Sequence, residues 1–362
     1  MPSLSYPVAF SLLLPLVLAY DPTFAFDSHV VEVENRTLSQ IYQAALSEGG
    51  TVVLWHGGDE TNQQDALKEA FEARFPGMSL NLTVDLSKYH DSNIDTQLAT
   101  DNLTVDSAIL QTVHDYPRWK LEGALKHYIP LDFESIYDAF KDEDGAYYGM
   151  YVFGWSNVWN TEYVSQGPVE FTDYLKSEFK NKLVLTYPND DDAVLYAFYL
   201  IMQQYGTSWF DSLLSQNPRW VRGTGTPATL MASSNGSYTA SFTGSIGLVA
   251  SSPFNISYPT QGQFVSWPQT GAIFKDAPHP EGAKLLHNYI LSQEYQNKTG
   301  SWSVRTDMTP PGGKPKIMEM PGTDPTKFMD FMLDRPRVER LRFWFEERLG
   351  SAQGKSPLID DL

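Results

Sequence analysis

The chain of 362 residues is acidic, because 26 lysines and arginines stand against 44 aspartates and glutamates, for a formal net charge of −18. A hydrophobic content of 42% excludes wholesale disorder, and the length favours two globular units or one large one. The charge argues against nucleic acid and anionic lipid surfaces as partners. The lack of cysteine excludes disulfides, thiolate catalysis and zinc ribbons.

The N-terminus predicts export. The run VAFSLLLPLVL at 8–18 is too short to span a bilayer and precedes small residues typical of a signal-peptidase site. It predicts a signal peptide over residues 1–19 and a secreted, extracellular protein without an integral membrane segment after cleavage; a buried or anchoring helix is the alternative. Six Asn-x-Ser/Thr sequons agree with secretion and predict glycosylation at Asn35, Asn81, Asn102, Asn235, Asn255 and Asn297.

Strands and helices alternate in the first half of the mature chain. A short apolar run at 51–55 predicts a strand. A helix is predicted over 62–75, because Leu67, Phe71 and Phe75 recur at i+4 spacing. Then follow a half-buried strand at 78–84, a helix at 89–98, a strand at 105–113 and a helix at 115–123. This order is typical of an α/β fold with a largely parallel sheet.

A second unit is predicted from about residue 156. The uncharged, aromatic segment 147–159 indicates a buried strand that passes between two lobes. The next predicted elements are a strand at 182–186, a buried helix at 193–205, loops over 223–262, a strand at 271–274, a helix at 279–296 and an amphipathic helix or helix pair at 324–349.

Two blocks of sequence resemble a known family. The first combines the strand at 51–55, NQQDALKEAFEARFPG at 62–77 and the strand and turn at 105–115; the second combines GAIFKDAPHPEGAKLL at 271–286 and LSQEYQ at 291–296. They are similar to type II periplasmic or extracellular solute-binding proteins, in particular the ferric-ion-binding branch of the ABC-transporter substrate-binding proteins. The resemblance covers roughly 48–300, and the signal peptide and sequons suggest a secreted eukaryotic, fungal form.

The resemblance implies a periplasmic-binding-protein-like type II fold, with two α/β lobes around a ligand cleft. Lobe 1 is expected over 20–155 and 266–300, lobe 2 over 156–265, and a C-terminal extension with amphipathic helices over 301–362. Chain crossings near 150–155 and 265–267 would form a hinge. Helix N-termini at the cleft would favour a small polar or anionic ligand, captured by closure without a cofactor. The sequence does not indicate which membrane transporter or receptor would be its partner.

Candidate ligand-binding residues lie where predicted strands of the first lobe end. The set is Trp55, His56, Gly57 and Gly58 after the first strand, and Thr112 and His114 after the third. Glycines let a ligand approach the backbone. His56 and His114, with a carboxylate, would make a metal site. A structural turn with a surface histidine is the alternative.

Further candidates come from the second unit and the hinge. Asp190 begins an acidic run that either caps the following helix or contacts a cation or amine. Arg222 and Thr224 lie in a loop where the arginine would grip a carboxylate or phosphate. The hinge candidates, which stack on a ring or sugar or simply fill the hinge core, are Trp155, Asn157 and Trp267.

Metal binding and catalysis have less support in the sequence. Ferric-binding members of the family use adjacent tyrosines, but the expected segment 243–253 has none, and the pair Tyr147–Tyr148 falls at the presumed hinge. A metal ion or metal complex stays an alternative ligand. No nucleophile elbow, HExxH or Walker motif occurs, so no catalytic residue is assigned. The alternatives are a secreted enzyme on the same fold and an interaction protein that has lost its ligand.

Overall fold

The structure, a computed structural model, describes residues 30–359, so the predicted signal peptide lies outside the described residues. The strands are β1 (Glu32–Val33), β2 (Thr51–Gly57), β3 (Ser79–Asp85), β4 (Ser107–Leu110), β5 (Tyr128–Ile129), β6 (Tyr148–Gly154), β7 (Asn157–Asn160), β8 (Val184–Thr186), β9 (Arg219–Val221), β10 (Ala240–Ser241), β11 (Phe254–Ser257) and β12 (Ser266–Ile273). The helices are α1 (Leu38–Glu48), α2 (Asp65–Arg74), α3 (Ser87–Ala99), α4 (Asp115–Leu121), α5 (Asp192–Tyr205), α6 (Thr207–Leu214), α7 (Thr226–Ser233), α8 (Pro280–Leu291), α9 (Gln293–Gln296), α10 (Lys327–Leu333) and α11 (Arg335–Leu349). Within this range no helix is long and apolar enough to cross a membrane.

A five-stranded sheet in the order β3-β2-β4-β12-β6 builds the first lobe. β2 pairs in parallel with β3 and β4, whereas β12 runs antiparallel to β4 and β6. α2 joins β2 to β3 and α3 joins β3 to β4, because parallel neighbours need a long crossover connection. Helices α1 and α8 pack together and both contact β2. The carboxyl ends of β2, β3 and β4 therefore meet at one edge of the lobe.

The second lobe repeats this strand order. β8 pairs in parallel with β9, and Leu183 bridges Ala240 in parallel beside β10. β7 runs antiparallel to both β10 and β11. Taken through this bridge, the order is β9-β8-β10-β7-β11, and β8 has the second place that β2 has in the first lobe. The predicted α/β fold with two lobes is confirmed.

The chain crosses between the lobes at two adjacent places. β6 continues through residues 155–156 into β7, and residues 258–265 lead back from β11 to β12. The backbone N–H of Trp155 donates to the carbonyl of Val265 at 3.1 Å, so the two crossings are hydrogen-bonded to each other. The segment 147–159 therefore contains two strands in different sheets.

Of the two C-terminal helices, α10 packs on both lobes and α11 packs on the second. α10 contacts β12 and α5, and α11 contacts α5. Phe328 of α10 lies with its ring 5.3 Å from that of Trp267 and 5.7 Å from that of Tyr196. Phe345 of α11 packs edge-on against Phe198 at 5.6 Å. These buried aromatic contacts join the last helices to the body of the protein.

Most of the predicted elements are confirmed, with their ends shifted by a few residues. The predicted strands at 51–55, 78–84, 105–113, 182–186 and 271–274 are β2, β3, β4, β8 and β12, and the predicted helices at 62–75, 89–98, 115–123 and 193–205 are α2, α3, α4 and α5. The segment 324–349 is a helix pair. The segments 62–75 and 78–84 carry a hydrophobic period, which burial of one face imposes, whereas β4 and β8 are short apolar runs buried throughout.

Two predictions were wrong in detail. The loop region 223–262 also contains α7, β10 and β11; α7 has Pro227 in its first turn and buries Leu230 and Met231, which its small neighbours obscure in the sequence. The helix predicted over 279–296 is interrupted at Ser292. That residue is extended, with ψ 150°, and its hydroxyl caps α9 by accepting from the N–H of Tyr295.

Candidate functional site

A cavity of about 140 Å³ lies between the two lobes. Residues at or just beyond the carboxyl ends of strands from both lobes line this cavity. From the first lobe they are Gly57, Gly58 and Asp59 at the end of β2, Leu86, Ser87 and Lys88 after β3, and Gln111 and Thr112 after β4. From the second lobe they are Asp190, Asp191 and Asp192 after β8, Thr224 and Gly225 after β9, and Ser245 after β10. Gln63, Phe153, Trp155, Trp267, Gln269 and Arg342 complete the wall. Open α/β sheets bind ligands at the carboxyl ends of their strands, so this cavity is the candidate ligand site.

A serine and two glycines shape the turn after β2. A Cβ on Gly57 would collide with the hydroxyl of Ser87, and one on Gly58 would meet Oε1 of Gln63 at 2.5 Å. Ser87 Oγ in turn accepts from the N–H of Gln111 at 2.9 Å. Glycine is therefore required here for the close packing of the three strand ends that form this wall of the cavity.

Asp59 and Thr224 connect the lobes at the cavity. Oδ2 of Asp59 accepts from the backbone N–H of Thr224 at 2.7 Å and from its Oγ1 at 2.6 Å. Asp59 is 7% exposed, so water competes weakly for these charge-assisted hydrogen bonds.

A second connection joins the start of α3 to the second lobe. Lys88 donates from Nζ to Oδ1 of Asp190 at 2.7 Å and to its carbonyl at 2.6 Å. Arg222 donates from Nε to the other oxygen of Asp190 at 2.8 Å and from Nη2 to the hydroxyl of Tyr89 at 3.2 Å. Burial raises the pKa of Asp190, but the bonds from Arg222 and Lys88 outweigh burial and hold that pKa below its usual value.

Asp191 and Asp192 stand at the N-terminus of α5. Oδ1 of Asp191 caps the helix by accepting from the N–H of Val194 at 2.9 Å. Burial, followed by the nearby charge of Asp59, raises the pKa of Asp191 to about 7. Arg342 of α11 donates from Nη2 to Oδ1 of Asp192 at 2.6 Å, so the C-terminal helix supplies a cation to the cavity wall.

The cavity is negatively charged overall. Four carboxylates and two cations line it, for a formal charge of −2. The cations are each paired: Lys88 with Asp190, and Arg342 with Asp192. Within the described part of the chain, Asp59 and Asp191 lie within 4 Å of no lysine or arginine nitrogen. This charge distribution disfavours the anionic ligand expected from helix N-termini alone.

Three aromatic side chains, at or next to the chain crossings, form the apolar wall. The rings of Trp155 and Trp267 meet edge to face at 5.5 Å, and Phe153 lies 5.4 Å from Trp267. The indole N–H of Trp267 donates to Oε1 of Gln269 at 3.0 Å, which fixes the orientation of this ring. The wall therefore presents apolar ring surface beside the carboxylates.

The structure brings seven of the twelve predicted binding residues to this cavity and leaves five outside its wall. Those that line it are Gly57, Gly58, Thr112, Trp155, Asp190, Thr224 and Trp267. Those that do not are Trp55, His56, His114, Asn157 and Arg222.

The two residues before the glycine turn serve the core. His56 is fully buried, and its ring nitrogens contact the hydroxyl of Tyr151 and the carbonyl of Gly57. Burial lowers its pKa to about 4, so the ring is neutral near pH 7. Trp55 stacks on His90 with the ring centroids 5.0 Å apart. The expectation that His56 reaches a ligand is corrected, because this side of β2 faces packed side chains.

The other three residues are also engaged elsewhere. Asn157 is buried in β7 and donates from Nδ2 to the carbonyl of Val169 at 2.8 Å. His114 precedes α4, with Nε2 3.9 Å from Asp115. Arg222 is held by Asp190 and Tyr89, so its guanidinium is committed to closing the lobes rather than to an anionic ligand.

The metal site expected from His56, His114 and a carboxylate is not found among the residues that the structure describes. Between residues 30 and 359, no group of three or more histidines, aspartates or glutamates is arranged to hold a metal ion. His56 and His114 therefore form no such site. Tyr148 of the tyrosine pair is buried and contacts Nδ1 of His287 at 2.8 Å.

Several cavity residues were missed by the sequence reasoning. Asp191 and Asp192 belong to the acidic run in which only Asp190 was chosen, so the run itself was the signal. Asp59 lies two residues beyond the strand end and was passed over for the glycines. Arg342 carried no signal, because it meets Asp192 across 150 residues of sequence.

Comparison with known proteins identifies a matching family. A family model described as bacterial extracellular solute-binding protein matches residues 119–301. No curated protein sequence matches the chain.

Solved structures share the fold. The periplasmic binding protein AfuA from Actinobacillus pleuropneumoniae, solved with fructose-6-phosphate, is 16% identical with a TM-score of 0.66, over 83% of this chain and 99% of its own. The substrate-binding protein of an ABC transporter from Agrobacterium tumefaciens is 14% identical with a TM-score of 0.69, over 84% and 96%. Iron-bound HitA from Pseudomonas aeruginosa is 13% identical with a TM-score of 0.60, over 82% and 99%. At these identities the likeness establishes the fold alone.

Proposed function

The chain belongs to the family of bacterial extracellular solute-binding proteins, and from that premise we propose that it captures a small solute between its two lobes without converting it chemically. The observation that carries this proposal is the convergence of strand ends from both lobes on one cavity, where Asp59 contacts Thr224 and Lys88 contacts Asp190. Bonds that form only when the lobes approach favour the closed state. A ligand that touches both lobes adds to that preference.

We further propose that the protein is secreted and glycosylated. All six sequon asparagines are exposed, as an attached glycan requires. The chain produced in a eukaryotic secretory host should gain mass and lose it again after enzymatic removal of N-linked glycans. An unchanged mass would refute glycosylation while leaving solute capture intact.

Native mass spectrometry of the freshly purified protein tests solute capture. Ser245 is exposed and lines the cavity, so Ser245→Trp should fill the site without disturbing the core. Ser208→Trp, at an exposed position on α6 outside the cavity wall, is the matched control. We expect a small adduct on the wild type and on Ser208→Trp that is lost from Ser245→Trp. An adduct that survives Ser245→Trp, or no adduct on any form, contradicts the proposal.

A further inference from the structure

The charge of the cavity limits the chemistry of its ligand. Each cation in the wall already donates to a carboxylate at 2.6–2.7 Å. An anionic ligand would have to break one of these ion pairs and also approach Asp59 and Asp191. Both steps cost free energy in a partly buried site. A cationic ligand needs neither, because among residues 30–359 Asp59 and Asp191 form no ion pair with a lysine or arginine.

These two carboxylates come from opposite lobes. Asp59 follows β2 in the first lobe and Asp191 caps α5 in the second, both line the cavity, and the charge of Asp59 raises the pKa of Asp191. Closing the lobes without a cation brings like charges together. A protonated amine between them turns that repulsion into attraction, so it stabilises the closed form more than the open form.

A hydroxyl and an aromatic wall add to this pattern. Thr112 lines the same cavity, is 4% exposed, and its Oγ1 has no hydrogen-bond partner among residues 30–359. It is free to pair with an N–H of a ligand. The rings of Phe153, Trp155 and Trp267 favour a cation, or a flat apolar body attached to one.

Size completes the description. The cavity measures about 140 Å³, and a protein cavity of roughly 150 Å³ is known to admit benzene. A compact molecule with one ring or a short chain therefore fits, whereas a long oligomer does not.

We propose that the ligand is a small organic cation, a protonated amine held between Asp59 and Asp191 with its apolar body against Phe153, Trp155 and Trp267. This inference rests on the proposed solute-binding function and narrows its substrate class. The amine donates hydrogen bonds to the two carboxylates and to Thr112, and the rings exclude water from its body.

Three probes of nearly equal size and different charge test the inference. Benzylamine is cationic, benzyl alcohol neutral and benzoate anionic near pH 7, and calorimetric titration measures each against the wild type. We expect benzylamine to bind more tightly than the other two by about tenfold or more. Asp59→Asn and Asp191→Asn each keep one acceptor oxygen, which is the number that Thr224 and Val194 use, and Asn also caps helices, so both variants should fold. Each substitution should weaken the binding of benzylamine by about tenfold or more.

Asp211→Asn provides the matched control. It removes the same charge from an exposed position on α6 outside the cavity wall and should leave benzylamine binding unchanged. Tighter binding of benzoate or benzyl alcohol, or equal affinity in all variants, overturns the cationic assignment. The electrophoretic mobility of any solute released from the purified protein provides a second test. An anionic or neutral solute refutes this inference but leaves solute capture standing, whereas the absence of any solute contradicts capture itself.

Discussion

Replacing Lys88 by methionine should loosen the closure of the two lobes. Its Nζ makes two hydrogen bonds across the cleft, to the carboxylate and to the carbonyl of Asp190, at 2.7 and 2.6 Å. Arg222 remains on Asp190 after the substitution, so the carboxylate of Asp190 keeps a cationic partner. The variant therefore removes an interlobe contact while preserving the pairing within the second lobe.

The expected magnitude follows from the exposure of the pair. Hydrogen bonds to charged groups contribute about 1.5–3 kcal/mol when buried, and exposed ion pairs contribute about 0.2–1 kcal/mol. The Lys88 side chain is 31% exposed and that of Asp190 is 12% exposed, so the contribution falls between these limits, at about 1–2 kcal/mol. The ratio of closed to open molecules should fall by roughly 5- to 30-fold.

Solution X-ray scattering and ligand titration measure this effect. Lys68→Met is the matched control, because Lys68 also donates to a carboxylate, of Glu72 at 2.7 Å, and to a carbonyl, of Leu80 at 2.5 Å, but within the first lobe. Lys88→Met should have a larger radius of gyration than Lys68→Met and bind the retained solute more weakly. Identical scattering curves and affinities for the two variants would refute the reasoning.

The affinity for benzylamine should rise from about pH 6 to about pH 8, because a bound cation favours the ionised form of Asp191. Burial and the charge of Asp59 raise the pKa of Asp191 to about 7; Asp192 adds to this rise and Lys88 opposes it. An affinity that stays constant or falls with pH in calorimetry would contradict the assignment. Asp191→Asn should increase the free energy of unfolding more at about pH 8 than at about pH 5, as urea titrations can measure. The pKa of Asp191 in the folded protein exceeds its ordinary value of 3.8, so ionisation of this carboxyl destabilises the folded protein as the pH rises through about 7. Trp267→Ala should lower the free energy of unfolding by about 3–5 kcal/mol in the same assay, since the side chain is only 2% exposed. A decrease of less than about 1 kcal/mol would contradict the position of this side chain in the core. Arg342→Met should cost about 2 kcal/mol by leaving the 6%-exposed Asp192 side chain with only the distant Arg335, 3.9 Å away, and an unchanged urea midpoint would count against that ion pair.

Much of the fold could be predicted from local patterns. Leu67, Phe71 and Phe75 recur on one helical face because that face is buried, and the strand at 78–84 alternates because one side of it is exposed. The order of these elements then restricts the sheet topology to a few arrangements. The segment 223–262 escaped this reasoning, since its short elements carry no full hydrophobic period.

The sequence predicted where the candidate site lies, at the ends of strands, better than it predicted which side chains line that site. The strand ends suggested Gly57, Gly58 and Thr112, and the structure places all three in the wall of the cavity. His56, one residue earlier, faces the opposite way, because successive side chains of a strand alternate between faces. The choice between those faces depends on what packs against β2.

The sequence by itself determined the acidic charge, the six sequons and the alternation of strands and helices, because each depends on composition or on contacts between near neighbours. The two-lobe class followed from the resemblance to solute-binding proteins. Only the tertiary structure decided which charges are balanced. In the sequence Arg222 indicated an anion site, but in the structure it is paired with Asp190. Arg342, on the C-terminal helix α11, pairs with Asp192. Asp59 and Asp191 line the same cavity from different lobes, and among the described residues neither forms an ion pair with a lysine or arginine. The sign of the cleft is a sum over groups far apart in the chain, and only folding places those groups within the few ångströms over which their charges act strongly.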